Sequence, residues 1–163
     1  MTHAVGAGRS AATVRLATGA DVPALAALRR DWTAENGWAA DEDDFERRFA
    51  AWFTGETERR VTWLAELAGQ PVGMLNLVLF DRMPRPGLRA GGWAYLANLY
   101  VRPAHRGQRI GGDLLDGAVA YAREHHLDRI VLHPSERSVP FYRRAGFGVA
   151  DMLLVHPLDG AQR

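Results

Sequence analysis

The sequence predicts a single α/β (α+β) domain, and three features support that fold class. The 163 residues are the size of one ordinary domain. The chain is 47% hydrophobic and 24% charged, which is typical of a globular protein. The spacing of its apolar residues alternates between strand and helix periods and gives the order β-α-α-β-β-β-α-β-α-β. We expect the domain to cover residues 13–158, with a flexible N-terminal tail at 1–12 and a C-terminal tail at 159–163.

The first elements are a strand and two helices. Residues 13–16 alternate as a strand does, and Asp21 then occupies the N-cap position of a helix whose apolar residues continue at helical spacing to Trp32. The acidic residues 41–44 precede phenylalanines spaced four apart over residues 45–53. Carboxylates in a first turn interact favourably with the helix dipole, so we expect a second helix here.

Three strands are predicted in the middle of the chain. The apolar runs 62–67 and 72–80 are separated by a short connection, which is the pattern of a β-hairpin. Residues 83–92 are rich in proline and glycine and form a loop. A further strand covers residues 93–101 and ends before Pro103, because proline has no N–H to donate to a ladder.

The last part of the chain alternates between helices and strands. An amphipathic helix begins near Gly111 and ends near His125, and residues 129–133 form a short strand. Residues 139–145 form a short helix that a glycine stops, and residues 149–155 form the last strand.

Composition excludes several kinds of chemistry. The chain has no cysteine, so disulfides, thiolate metal sites and a cysteine nucleophile are excluded. All twenty basic residues are arginine, which excludes lysine Schiff-base chemistry. A formal net charge of +1 does not indicate a nucleic-acid partner. We expect no metal either, since the adjacent His125 and His126 diverge on a helix. Without a secretory h-region or a membrane-spanning apolar run, we expect a cytoplasmic protein with no membrane partner.

Residues 106–112 form a glycine-rich turn between a predicted strand and a predicted helix. Such a turn places successive backbone N–H groups at a helix N-terminus, where they bind phosphate. Alternatively, the glycines only shape the turn, since short glycine motifs are weak signals on their own.

The residues around this turn carry a resemblance to a known family. Residues 96–115, with Val-Arg-Pro followed by Arg-Gly-Gln-Arg-Ile-Gly-Gly, resemble motif A of the GNAT N-acetyltransferase superfamily. Residues 140–147, Pro-Phe-Tyr-Arg-Arg-Ala-Gly-Phe, look like its motif B. The resemblance implies a mixed, mostly antiparallel sheet of six to seven strands flanked by about four helices. It also implies acetyl-CoA as cosubstrate and an amine as acceptor.

The resemblance further implies a cofactor site. The backbone of Leu99 and Val101 would pair with the pantetheine amides, and the turn amides would receive the pyrophosphate, with Arg106 and Arg102 near it. Arg109 replaces the usual first glycine, so we expect a helical or turn-like residue there with an outward side chain and no need for a positive φ. The implied cofactor-binding residues are Leu99, Tyr100, Val101, Arg106, Gly107, Gln108, Arg109, Ile110, Gly111, Gly112, Ser135 and Tyr142.

Acetyl transfer needs an acid for the departing thiolate and a route for the proton of the amine. By its family position Tyr142 is the acid. The strand before motif A has no carboxylate, so the base is chosen among His133, Glu66 and Glu35, or a water. His133 is preferred, because an imidazole titrates near ~6.5 and the family topology puts that strand end beside the cleft.

In the superfamily the first two helices form the acceptor wall. Trp32, Glu35, Trp38 and the carboxylates of residues 41–44 are therefore candidate substrate contacts for a cationic amine, and Asn98 is a candidate to orient a water. The acidic run is alternatively a solvated first helical turn. We expect a small-molecule amine as acceptor. Protein N-termini or lysines are a second possibility, and a non-catalytic acyl-CoA-binding module a third. Family members often dimerise, so a homodimer is possible.

Overall fold

The computed structural model of the chain describes residues 11–38, 43–156 and 158. The chain divides into two compact units, Met1–Leu132 and His133–Arg163. In these described ranges, the first unit contains a β-sheet and three α-helices, and the second contains one short α-helix. Within the described ranges, no helix combines the length and the apolar character that crossing a membrane requires.

The sheet of the first unit has five strands in the order β1-β2-β3-β4-β5. The strands are β1 Thr13–Leu16, β2 Arg60–Leu67, β3 Gln70–Asp81, β4 Gly92–Val101 and β5 Ile130–Val131. Neighbours from β1 to β4 are antiparallel, whereas β5 lies parallel to β4 after a helical crossover. The mixed sheet agrees with the fold class that the sequence predicts.

The hairpin between β2 and β3 is closed by Ala68 and Gly69. Both residues have positive φ, 50° and 75°, which matches the twist of two antiparallel strands joined by a two-residue turn. Ala68 tolerates this conformation less well than glycine does. The predicted connection over residues 68–71 is therefore shortened to two residues, and both strands are longer than expected.

Three helices cover the sheet: α1 Val22–Glu35, α2 Phe45–Glu56 and α3 Ile110–Glu124. Leu25 and Leu28 of α1 pack in one cluster with Leu64, Met74 and Tyr100, and phenylalanines of α2 pack against that cluster. Trp63 contacts α3 instead, with its ring 5.5 Å from that of Tyr121. Because neighbouring residues of a strand point to opposite faces, α1 and α2 lie on one face of the sheet and α3 on the other.

In the second unit, helix α4 extends from Val139 to Arg144. The ring of Tyr142 lies 5.0 Å from that of Phe141 and 5.7 Å from that of Phe147, both in edge-on geometry. Tyr142 as a whole residue is 9% exposed. Two aromatic residues of the same unit, Phe141 and Phe147, therefore pack around Tyr142 and contribute to its burial.

The last predicted strand, residues 149–155, is not formed, so the described sheet has five strands where six to seven were expected. Val149, Met152 and Leu154 are 75%, 95% and 94% exposed. A strand requires a partner for its N–H and C=O groups and cover for its apolar face, and among the described residues none pairs with this segment. The alternation of apolar residues in this segment predicts a strand, but it does not indicate which strand would pair with it.

Candidate active site

Two arginines that follow β4 are bound by carboxylates of α1. The Glu35 carboxylate accepts hydrogen bonds from Nη1 and Nη2 of Arg106, both 2.7 Å long, and Asp31 Oδ2 accepts one of 2.7 Å from Nε of Arg102. Asp31 and Glu35 are one helical turn apart. Hydrogen bonding to Glu35 raises the pKa of the Arg106 guanidinium, so the arginine stays charged at any ordinary pH.

Trp32, a predicted substrate contact, packs on the sheet. Its ring stacks on Tyr100 of β4 at 5.6 Å and 12°, and the Arg106 guanidinium lies 5.7 Å from the Tyr100 ring. Burial, and secondarily the charges of Glu35 and Asp31, raise the pKa of Tyr100, which keeps its hydroxyl neutral. Trp38, the other predicted aromatic contact, is 69% exposed.

The second half of β4 has an open edge. Within the described chain, β5 pairs only with Ala94 and Tyr95, so residues 96–101 have a strand partner on the β3 side alone. The Arg102 N–H donates to Val72 O of β3. Since backbone groups alternate along a strand, those of Leu99 and Val101 point to the open side. Val101 O there accepts a hydrogen bond from Arg106 Nε at 2.9 Å.

A β-bulge produces this orientation. The register between β3 and β4 shifts so that Asn76 faces Asn98 and Leu77 faces Leu96, which leaves Ala97 unpaired. Ala94 donates its N–H toward β5, whereas Arg102 donates toward β3, although both are even-numbered. Before the bulge the odd-numbered residues of β4 direct their backbone groups toward β3, and after it the even-numbered residues do so.

The glycine-rich turn ends in an unusual residue at the start of α3. Arg109 is the N-cap and has φ 66° and ψ 2°, the left-handed conformation. The expectation that no positive φ is needed here was wrong, because the turn keeps the backbone shape that glycine usually supplies. The first helical hydrogen bond joins Asp113 N to Arg109 O at 3.0 Å, so the amides of residues 110–112 lie ahead of the helical ladder.

The Arg109 side chain is exposed, which agrees with the outward orientation expected for it. It folds back along α3, where Nη2 donates to Asp116 Oδ2 at 3.1 Å and Nε lies 3.5 Å from Asp113 Oδ1. A Cβ on Gly112 would lie 3.3 Å from Arg109 Cγ. Gly112 therefore leaves room for the arginine, and the two aspartates help to stabilise a backbone conformation that costs about 1–2 kcal/mol for a residue with a Cβ.

A cavity of about 500 Å³ lies on the sheet face that α1 and α2 cover. Its polar lining groups are Arg29 of α1, Arg48 of α2, and Thr62, Asn76 and Asn98 of the strands. Its apolar wall includes Leu25, Phe45, Phe49, Trp52, Phe53 and Met74. Of the four predicted substrate residues, the lining contains Asn98, and it does not contain Trp32, Glu35 or Trp38.

A chain of hydrogen bonds orients the amide groups at the sheet side of the cavity. Arg60 Nη1 donates to Asn76 Oδ1 at 2.6 Å, and Asn76 Nδ2 donates to Asn98 Oδ1 at 3.1 Å. A guanidinium only donates, so the direction of the chain is fixed and the Asn98 NH2 group remains a donor. Sequence reasoning missed Asn76, and the available signal was a single amide within the apolar run 72–80.

The candidate bases differ in their surroundings. Glu35 is bound to Arg106, and Glu66 accepts a 3.0 Å hydrogen bond from Arg15 Nε. His133 is an exposed residue of the second unit. In that unit Ser135, a predicted cofactor contact, hydrogen-bonds through Oγ to Ser138 Oγ at 3.0 Å.

Tyr142 and the acidic run complete the predicted set. Burial raises the pKa of Tyr142 to about 12, so its hydroxyl keeps its proton at neutral pH.

Residues 41 and 42 of the acidic run lie outside the described residues. Asp44 precedes α2 and accepts a hydrogen bond from Arg47 at the helix start, which is the arrangement of a solvated first turn.

An open strand edge beside a helix N-terminus, on a mixed sheet, is the arrangement that the motif resemblance implies for an acyl-CoA site. The Acetyltransferase (GNAT) family matches residues 25–147, which is more than half of the chain. The chain therefore belongs to the GNAT family of acetyltransferases.

Solved structures and a curated relative agree with this family. A predicted acetyltransferase from Clostridium acetobutylicum, solved with acetyl-CoA, is 25% identical, with a TM-score of 0.73 over 93% of this chain and 99% of that one. A GCN5-related N-acetyltransferase from Ralstonia eutropha JMP134 is 26% identical, with a TM-score of 0.70 over 91% and 99%. The glucosamine 6-phosphate N-acetyltransferase of Trypanosoma brucei brucei is 29% identical over 79 residues. That match covers 48% of this chain and 52% of the relative, about half of each.

Proposed function

We propose that this protein transfers the acetyl group of acetyl-CoA to a primary amine of a small molecule, by direct attack in a ternary complex. The observation that carries the proposal is the open edge of β4, whose outward backbone groups at Leu99 and Val101 adjoin the turn leading into α3. One extended edge and one helix N-terminus together suit a ligand with amide groups at one end and phosphates at the other.

The pantetheine arm of acetyl-CoA is proposed to pair with the open edge. Leu99 offers one N–H and one C=O, and Val101 offers a C=O that Arg106 Nε now contacts. The amides from Gly107 to Gly112 are proposed to receive the pyrophosphate. Arg106 would then hold its place through Glu35 and add positive charge close to the phosphates.

The reaction needs no covalent enzyme intermediate. The neutral amine attacks the thioester carbonyl carbon, and the carbonyl electrons move to its oxygen as the tetrahedral intermediate forms. The intermediate collapses with cleavage of the C–S bond, and the thiolate takes a proton. From the family resemblance we propose Tyr142 as the donor of that proton; burial raises its pKa to about 12, so the hydroxyl carries its proton at the pH where the amine is neutral. His133 is the proposed base, directly or through water.

A small acceptor is supported by the cavity and by the curated relative. The cavity of about 500 Å³ is in the range of small-molecule sites. The relative from Trypanosoma brucei brucei is named for an amino sugar phosphate, which is a small primary amine.

The test is release of free thiol from acetyl-CoA in the presence of single amines. We expect at least one amine of small size to accelerate thiol release and to appear as its N-acetyl product by mass spectrometry. Tight binding of acetyl-CoA without thiol release by any amine would contradict the proposal and favour a non-catalytic acyl-CoA-binding module. Acetylation of protein N-termini or lysines alone would contradict the small-molecule acceptor.

A further inference from the structure

The cavity that α1 and α2 cover has an aromatic wall on the side of α2. Phe45, Phe49 and Trp52 of that helix all line it. The Phe49 ring lies 5.7 Å from that of Phe45 and 5.3 Å from that of Trp52, and each pair is tilted by 52°. The three rings are therefore in contact with one another and present one continuous aromatic surface to a ligand.

The sheet side of the same cavity is polar. Thr62 faces Asn76 across β2 and β3, and Asn76 faces Asn98 across β3 and β4, so the three side chains form one row on one face of the sheet. Asn76 accepts a hydrogen bond from Arg60 and donates one to Asn98, which keeps its NH2 group as a donor. Asn98 belongs to β4, the strand with the open edge. The β4 end of the cavity therefore suits the polar end of a ligand, and the α2 side suits its apolar part.

The Trp52 ring is held in place and is still partly exposed. The Arg60 guanidinium stacks on it, with Cζ 5.0 Å from the ring centroid, and Arg60 is itself bound to Glu56 by a 3.0 Å ion pair. Trp52 nevertheless remains 40% exposed. An apolar ligand group that covers this ring removes apolar surface from water, which is favourable. Because the ring is already fixed, such binding costs little ordering of the side chain.

We propose that the acceptor is an amine joined by a short chain to an apolar group of about the size of an aromatic ring. The apolar group binds against Phe45, Phe49 and Trp52, and the amine lies toward Asn98. The inference deepens the proposed acetyl transfer and rests on it. A cavity of about 500 Å³ accommodates a molecule of this size. Selection among amines then depends on the apolar area that a substrate brings to the three rings.

The first experiment compares primary amines that differ in apolar length. From n-propylamine to n-hexylamine we expect kcat/KM to rise about two- to fourfold with each methylene, because each buried methylene favours binding. The polar comparator is an aminopentanol whose terminal hydroxyl replaces the last methyl of hexylamine, and we expect it to be about tenfold poorer. Phenylethylamine should exceed ethylamine by about tenfold or more. A flat series, no gain from the ring, or a preference for aminopentanol or glucosamine 6-phosphate overturns the inference.

The second experiment removes single rings from the wall. In Trp52→Ala we expect the ratio of kcat/KM for hexylamine to that for aminopentanol to fall about fivefold or more, mainly through KM for hexylamine. Phe45→Ala removes a second ring and should lower the same ratio. The matched control is Phe80→Ala, since Phe80 is 39% exposed, stacks on Trp93 and does not line the cavity. An unchanged ratio in both cavity variants, or an equal fall in the control, overturns the inference.

A binding measurement separates this inference from the proposed function. Titration calorimetry with phenylethylamine and with ethanolamine is performed on the wild type and on Trp52→Ala in the presence of CoA. If no amine is acetylated, the proposed function fails, but tighter binding of phenylethylamine that is weakened in Trp52→Ala still supports the apolar site. Equal binding of the two amines, equal binding of phenylethylamine to the two proteins, or no binding at all overturns the apolar site whether or not acetylation occurs.

Discussion

The Glu35 carboxylate and the Arg106 guanidinium are joined by two hydrogen bonds of 2.7 Å, which connect α1 to the segment leading into α3. The sequence suggested separate roles for them, one at the acceptor and one at the phosphates. In the structure each is the other's partner, so Glu35 holds a cation in place and is a poor candidate for a base.

Replacing Glu35 with glutamine tests that interpretation. We expect Glu35→Gln to lower the melting temperature by about 2–4 °C and to change kcat less than tenfold, because the group lost is a positioning partner. Asp31→Asn, which removes the neighbouring pair with Arg102, is the matched control. A fall in kcat of a hundredfold in Glu35→Gln but not in Asp31→Asn would show that Glu35 takes the proton.

Removing the Tyr142 hydroxyl tests the acid. We expect Tyr142→Phe to lower kcat about a hundredfold with a small effect on KM for acetyl-CoA. Since burial raises the pKa of this hydroxyl to about 12, it stays protonated as pH rises, and the wild-type kcat should show no fall from its ionisation between pH 7 and about 10. Rates of thiol release against pH give both results.

Tyr121→Phe is the control for Tyr142, because Tyr121 is a partly buried tyrosine whose ring packs on Trp63. Its kcat should match that of the wild type. If Tyr142→Phe is equally active, the proton reaches the thiolate by another route, and the role carried over from the family is lost.

The left-handed conformation of Arg109 leads to a prediction on stability. We expect Arg109→Val to be less stable than Arg109→Gly by about 1–2 kcal/mol, because valine adopts a positive φ poorly and glycine adopts it freely. Both variants lose the ion pairs with Asp113 and Asp116, so the comparison isolates the backbone. Urea unfolding measures the difference, and equal stability of the two variants would mean that the turn relaxes to another shape.

The open edge of β4 is tested by removing one backbone donor. Leu99→Pro deletes the outward N–H, and proline is tolerated where a strand N–H is not part of a ladder. We expect KM for acetyl-CoA to rise about tenfold, as for the loss of one hydrogen bond. Leu99→Ala shortens the side chain and keeps the N–H, so its KM should change much less. An equal rise in both variants would assign the effect to the side chain.

Local patterns were sufficient for much of the fold. The helices begin where Asp21 and the acidic run predict, and β4 ends at Val101, just before the proline that was expected to stop it. The turn before α3 was also located from its glycines. These features depend on neighbours within a few residues, which a single sequence displays directly.

Features that depend on distant partners were not predictable in the same way. Residues 149–155 have a strand pattern but no strand partner among the described residues. The chain from Arg60 through Asn76 to Asn98 joins three strands, and no spacing in the sequence indicates it. The left-handed Arg109 was missed because its stabilising aspartates are visible as partners only once α3 has formed.

The unpaired Ala97 determines which backbone groups of β4 face away from β3. Ahead of it, even-numbered residues turn their backbone groups away from β3, and after it the odd-numbered Leu99 and Val101 do so. If Ala97 paired within a regular ladder, without the bulge, Leu99 and Val101 would turn toward β3 and Asn98 and Tyr100 would face the open edge, with their side chains exchanged between the two faces of the sheet. The bulge at Ala97 therefore decides which backbone groups the open edge presents, even though Ala97 itself contributes only a methyl group.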